Sequence, residues 1–246
     1  MSDRFRMRLA QLGGLLRSPG AAWAAISWRP FSLSAYSIVR ALKAAEVPIR
    51  FVVDVGANEG QFSRAVRATY GQGVSILGFE PLRSAFVRLA CNFQDDDHAR
   101  FQCLAIGSRE AVMDMNVNSF SQSSSLMKLS GTHRSAFPWA QEIGVETVEV
   151  KRLDEVLAGV EIERPALLKI DVQGYEFEVL SGATELLADI DHVLVEVGLM
   201  PMYDGEPSFS QIDGLLRAFG FRFVKPVATL KVGKVPVQID ALFSKT

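Results

Sequence analysis

Short apolar runs, several of them closed by an acid or a glycine, alternate along most of the chain with stretches whose apolar positions recur at helical spacing. The runs are Phe51–Val55 in "RFVVDVGANEG", then "VSILGFEP", "ARFQCLAIG", "ALLKID" and "HVLVEVG", and near the end "FRFVKP" and "VQIDALFS". Each is short enough for a buried strand. Between them "QFSRAVRATY", "LRSAFVRLACNF", a stretch from about Tyr175 and residues 210–219 have helical periodicity. An earlier helix is expected over residues 34–46, with Tyr36, Val39 and Leu42 on one face and Pro48 ending it. Strands that alternate with helices imply right-handed crossovers and a mostly parallel sheet covered on both faces. The end departs from this rhythm: "LKVGKVPVQIDALF" leaves no room for a crossover helix, so the last strand should enter antiparallel to its neighbour.

One segment breaks the alternation. From Ala111 to Val160 the chain inserts "AVMDMNVN", the polar "SFSQSSSLMKLSGTHRS", the aromatic turn "AFPWAQ" and "ETVEVKRL". A polar insertion between sheet strands suits a lid or a substrate platform, and equally suits decoration of a sheet edge. The sequence thus divides into a helical N-terminal extension (residues 1–48) and one α/β domain (residues 49–246) with a substrate-side insertion at about 111–160.

Composition changes this picture little and charge changes it locally. The chain of 246 residues is 48% hydrophobic, enough for a substantial core. Cys91 and Cys103 are too few for a disulfide framework or a zinc site, and a cytoplasmic location is the default. The net charge of -2 hides an excess of bases in the first 50 residues, where eight stand against Asp3 and Glu46. Beside these arginines, Phe5, Leu9, Leu12 and Leu16 recur at helical spacing. This describes a basic amphipathic helix that either packs on the domain or makes peripheral contact with an anionic membrane. No apolar run approaches the roughly 20 residues of a membrane span.

The chemistry should lie where the strands end, because open parallel sheets bind ligands beyond the carboxyl ends of their strands. "DVGANEG" puts Asp54 near the end of the first strand, Gly56 in the turn, Asn58 two residues on and Gly60 at the helix start. Glycine allows the backbone to turn sharply and approach a ligand, and Asn58 tolerates a left-handed conformation. The motif is neither a G-x-G-x-x-G dinucleotide fingerprint nor a phosphate-binding P-loop. Glu80, at the end of the second strand, can accept both hydroxyls of a ribose or, standing before Pro81, cap the following helix. Together these features suggest a nucleoside-containing cofactor without a pyrophosphate, which S-adenosyl-L-methionine satisfies.

"FVVDVGANEGQFS", "GFEPLRSAFVRL", "LLKIDVQGYEFEVLSGA" and "VLVEV", in that order, resemble the FkbM-type family of S-adenosylmethionine-dependent methyltransferases. The resemblance implies the Rossmann-like class I methyltransferase fold, a seven-stranded mostly parallel sheet with an antiparallel last strand, and O-methylation of small molecules or glycans. Carried over by position, Asp54, Gly56, Asn58 and Gly60 would line the methionine part of the cofactor, Glu80 with Pro81 the ribose, and Ala105, Ile106 and Gly107 the adenine edge. The acceptor would be a hydroxyl of a sugar or natural product.

Methyl transfer to an alcohol needs a group that removes the acceptor's proton. Asp171, where the fourth strand ends, is the first candidate for general base or hydroxyl ligand; Glu196, near the end of the fifth, is the second. His133 in the insertion is an outside candidate, whereas His192 starts a strand at the opposite end of the sheet and His98 follows "DDD" in a loop. Acids at neighbouring strand ends, Asp171, Glu176 and Glu196, suggest Mg2+ as an additional cofactor. Gly174 would keep the approach between turn and ligand open. Trp139, Met200, Met202 and Tyr203 read as an apolar acceptor wall, as core or as a homodimer contact. The fourth strand ends in "DVQG" rather than Asn-Pro-Pro-aromatic or Asp-Pro-Pro-aromatic, so no nucleic-acid partner is expected. Two other readings remain: a cofactor-binding module without catalysis, and a methyltransferase acting on a membrane lipid-linked glycan.

Overall fold

The computed structural model describes residues 24, 30–118, 124–127, 142–200 and 203–245. His133, Trp139, Met202 and the basic segment around Phe5–Leu16 lie outside the described residues.

The apolar runs form strands β1 (Phe51–Val55), β2 (Ser75–Phe79), β3 (Ala99–Gln102), β7 (Ala166–Ile170), β8 (His192–Gly198), β9 (Phe221–Val232) and β10 (Val235–Lys245). They make one seven-stranded sheet in the order β3-β2-β1-β7-β8-β10-β9. β1 is parallel to β2 and β7, β7 is parallel to β8, and β10 runs antiparallel to both β8 and β9. The chain adds β2 and β3 on one side of β1 and returns to place β7 on the other, so the order reverses between β1 and β7.

Strand alternation divides the core in two. Val53, Val55, Leu168, Ile170, Val193 and Val195 face the layer containing α5 (Glu176–Ser181) and α6 (Phe209–Ala218). Val52, Leu167 and Leu194, their neighbours in sequence, face the other, built on α1 (Leu33–Ala44) and α2 (Gln61–Tyr70). Burial on both faces explains why β1 and β7 read as unbroken apolar runs. The helix expected at residues 34–46 is α1: Ile38, Val39 and Leu42 share a core with Val52, Val66 and Leu167. α3 (Arg83–Asn92) covers the β2–β3 side, and α4 (Leu153–Val156) precedes β7.

The run "ARFQCLAIG" is two strands rather than one. β3 closes the large sheet, whereas β4 (Ala105–Ile106) leaves it and pairs in parallel with β6 (Glu142–Lys151). β6 also pairs antiparallel with β5 (Ala111–Asn118), so both extended pieces of the insertion belong to a second, three-stranded sheet. Ala105, Met115, Val148 and Val150 of this sheet pack against Leu82 and Ala85 of the β2–α3 region.

Candidate active site

The carboxyl ends of β1, β2, β7 and β8 border one cavity of about 350 Å3 at the point where the sheet order reverses. Its wall contains Gly56, Asn58, Glu80, Pro81, Ala105, Ile106, Asp171 and Glu196 from among the residues singled out in sequence. Asp54, Gly60 and Gly107 stand outside the wall, each for a definable reason.

Asp54 is fully buried and engaged from both sides. Its Oδ2 accepts a hydrogen bond from the Ser63 hydroxyl (2.7 Å), and its Oδ1 pairs with the Lys169 ammonium (3.0 Å). The same ammonium donates to the Gly56 carbonyl (3.0 Å) and lies 3.7 Å from Asp171. Burial alone would lower the Lys169 pKa, but the charges of Asp54 and Asp171 outweigh it and hold the ammonium charged. Asp54 therefore braces the turn from beneath. Gly60 starts α2 at φ 91°, and a Cβ there would meet the Phe93 ring at 2.4 Å, so this glycine serves helix packing. Gly107 is hemmed in by Val150 and Tyr175, 2.9 and 3.1 Å from an added Cβ.

Gly56 needs to be glycine for two independent reasons. Its φ is 79°, and an added Cβ would lie 1.9 Å from the Asp171 carbonyl oxygen, so the turns after β1 and β7 touch backbone to backbone. Asn58 adopts φ 50°. Its amide donates to Glu80 Oε2 (2.8 Å), while the Leu82 amide donates to Glu80 Oε1 (2.9 Å). Glu80 thus holds the residue preceding α3, as a cap would, and also faces the cavity. Burial pushes its carboxyl up to about 7 against those two amides. Each oxygen keeps a further acceptor position, as two ribose hydroxyls require.

Beyond β7 and β8 the wall is polar. The turn residue Gln173, at φ 60°, was not recognised in sequence, yet it joins three elements. Its side-chain nitrogen donates to Asp171 Oδ1 (2.7 Å) and to Glu196 Oε2, and its side-chain oxygen accepts from the Tyr203 hydroxyl (2.7 Å). Asp240 of β10 is the Cα partner of Glu196 and also reaches the cavity. Burial, followed by the charges of Asp171, Asp240 and Glu176, pushes the Glu196 carboxyl well up. Burial and Asp171 take Asp240 to about 7. Glu176 is buried behind this wall, accepting from the amides of Gly174 (3.0 Å) and Val172 (3.3 Å). Among the described residues no three His, Cys, Asp or Glu side chains are grouped to hold a metal ion.

The insertion contributes to the site. Met115, Ser124 and Leu126 line the cavity, and the Ser125 hydroxyl donates to the Gln173 carbonyl. Gly174 has a different role from the one expected: a Cβ there would meet Tyr203 Cβ at 2.9 Å and Met127 Sδ at 3.1 Å, so it admits protein neighbours rather than ligand. Tyr203 lines the cavity, whereas Met200 is 39% exposed. His192 is paired with Ser244 (2.8 Å) at the start of β8, and His98 is exposed.

A model of the methyltransferase FkbM domain matches residues 54–223, which include the end of β1, all of β2, β7 and β8, and every strand-end acid named above except Asp240. The chain belongs to the FkbM methyltransferase family. Among similar proteins of this kind, the 2-O-methyltransferase NoeI of Sinorhizobium fredii is 27% identical over 180 residues, 71% of this chain and 74% of that one. The hexuronic acid methyltransferase AglP of Haloferax volcanii is 28% identical over 144 residues, 58% of this chain and 54% of that one. The crystal structure of an FkbM methyltransferase from Methylobacillus flagellatus superposes with a TM-score of 0.51 at 11% identity, over 85% of this chain and 47% of that one. This chain therefore spans about half of that structure. Magnesium protoporphyrin IX methyltransferase of Synechocystis, crystallised with SAM, gives 0.51 at 11% identity, over 87% and 78% of the two chains. These structures share the fold, and the seven-stranded, mostly parallel sheet with its antiparallel last strand is the one expected for a class I methyltransferase.

Proposed function

We propose that this FkbM-family protein transfers a methyl group from S-adenosylmethionine to a hydroxyl of a sugar or a similarly polyhydroxylated natural product. The observation that carries the reading is the convergence of Gly56, Asn58, Glu80, Asp171 and Glu196 on one cavity at the reversal of sheet order. The residues present fit the donor: Glu80 offers two acceptor positions for the ribose, Gly56 permits close backbone approach, and Ala105 and Ile106 supply a flat apolar edge for the adenine. The acceptor side is lined by Ser124, Asp171, Gln173, Glu196, Gln238 and Asp240, groups that match several hydroxyls. That two relatives are named as a 2-O-methyltransferase and a hexuronic acid methyltransferase agrees with this class of acceptor.

S-adenosylmethionine supplies a methyl group already activated on a sulfonium. The protein has to align the acceptor, exclude water and take the hydroxyl proton. Asp171 is the base in this reading: Lys169 and Gln173 hold its two oxygens, and it is the more exposed member of its pair with Glu196. Glu196, whose carboxyl burial and the neighbouring acids push well up, orients the acceptor. The test is calorimetric titration with S-adenosylhomocysteine, followed by labelled-methyl transfer to a panel of free and lipid-linked glycans. A methyl ether on an acceptor hydroxyl is expected. Binding without turnover on any acceptor, or no binding, overturns the assignment.

A further inference from the structure

The β9–β10 hairpin projects an unusual surface. Residues 229–236 are all exposed. At its tip Val232 and Val235 are Cα partners flanking the Gly233-Lys234 turn, and they are 39% and 54% exposed, with Leu230 at 45% and Val224 at 52%. The bases are as unbalanced as the apolar groups. From Phe219 to Ile239 the chain carries Arg222, Lys225, Lys231 and Lys234 and no acid, within a protein of net charge -2. Among the described residues no carboxylate forms an ion pair with any of the four.

Lysines and Pro226 along the edge strand β9 would discourage sheet-to-sheet association, and they would repel the same hairpin of a second copy. That accounts for the charge but not for a pair of exposed valines at the hairpin tip beside Lys231 and Lys234. Apolar tips set among unpaired bases match one surface chemistry, a bilayer with anionic headgroups, where the valines enter the acyl boundary and the lysines meet phosphates. The location fits. Leu230 and Gln238 of the hairpin line the same cavity as the strand-end residues, as do Ser32 and Ser34.

We infer that the β9–β10 hairpin is a membrane-docking element that seats the mouth of the cavity on an anionic lipid surface. No described helix is long and apolar enough to cross a membrane. The inference does not depend on which acceptor is methylated. It is tested by co-sedimentation of the full chain with vesicles of phosphatidylcholine alone and of phosphatidylcholine with about one-third phosphatidylglycerol. Binding is expected only to the anionic vesicles and should weaken as salt is raised. Each lysine near such a surface contributes roughly fivefold, so Lys231→Ala with Lys234→Ala should weaken partitioning by about 25-fold. Val232→Ser with Val235→Ser should cost about tenfold or more through lost apolar burial. All four side chains are exposed, so circular dichroism and thermal melting should match the parent. Equal binding to both vesicle types, or anionic binding unchanged in both double variants, overturns the inference. So does a concentration-dependent dimer that the same substitutions abolish.

Discussion

Lys169→Met isolates the buried charge pair beneath the Gly56 turn. Asp54 is 0% and Lys169 7% exposed, so this pair is outside the regime in which surface ion pairs contribute about 0–1 kcal/mol. Methionine keeps the length of the lysine stem, which runs past the Phe62 ring, and removes the charge that lies 3.0 Å from Asp54. Asp54 then keeps only the Ser63 hydroxyl, and an uncompensated buried carboxylate costs about 3–5 kcal/mol. For a chain of this size that lowers the melting temperature by roughly 6–20 °C. Asp54→Asn added to Lys169→Met removes the stranded charge and should recover most of the loss, giving a coupling energy of about 2–3 kcal/mol. The assay is a double-mutant cycle from thermal and urea unfolding of the four proteins without ligand. The parent, both single variants and the double are all needed, because the single Asp54→Asn still leaves Lys169 near Asp171 and the Gly56 carbonyl. If the two losses simply add, with coupling below about 0.5 kcal/mol, the pair is not a unit and the account of Asp54 as a brace is wrong.

Three further outcomes follow from the same geometry. Gly56→Ala places a Cβ 1.9 Å from the Asp171 carbonyl at φ 79° and should weaken S-adenosylhomocysteine binding by about tenfold or more; undiminished affinity in calorimetry would show that the turn yields freely. Glu176, which burial pushes up to about 8, retains a proton in the folded state that the unfolded chain has lost above about 4.5, so its contribution to stability falls as pH rises through that window. Glu176→Gln keeps an acceptor for the Val172 and Gly174 amides, so it should gain on the parent as pH rises, by up to about 5 kcal/mol above pH 8; equal melting shifts at about pH 5 and pH 9 would contradict this. Asp171→Asn should lower kcat by about 100- to 10,000-fold and change S-adenosylhomocysteine affinity only a few fold; an unchanged kcat would move the base elsewhere.

What could be read in advance is local. The turn at Gly56, the helix following Gly60 and the strand endings at Glu80 and Asp171 depend on residues within a few positions of one another, and the structure realises each. What escaped depends on register between distant segments. Asp240 reaches the cavity because β10 runs antiparallel to β8 and sets it opposite Glu196. Gln173 becomes a hub only once Tyr203 and Glu196 are brought to it from the segment after β8 and from β8 itself. The division of "ARFQCLAIG" followed from a partner, β6, that begins 36 residues after β4 ends.

Asp54 is the instructive case, because its role was available from elementary energetics. "FVVDV" and "ALLKI" each hold one charge within a run apolar enough to be buried on both faces. Neither charge can be buried alone. Two central strands with opposite lone charges therefore demand each other, and the parallel register makes Asp54 and Lys169 Cα partners. The ion pair selects that register over a slip by one residue, which would carry both charges to positions without a partner and put Val53 and Leu168 on opposite faces of the sheet instead of in their shared core layer. The brace beneath the Gly56 turn and the alignment of β1 with β7 thus have one physical cause, and that alignment sets the turn against Asp171.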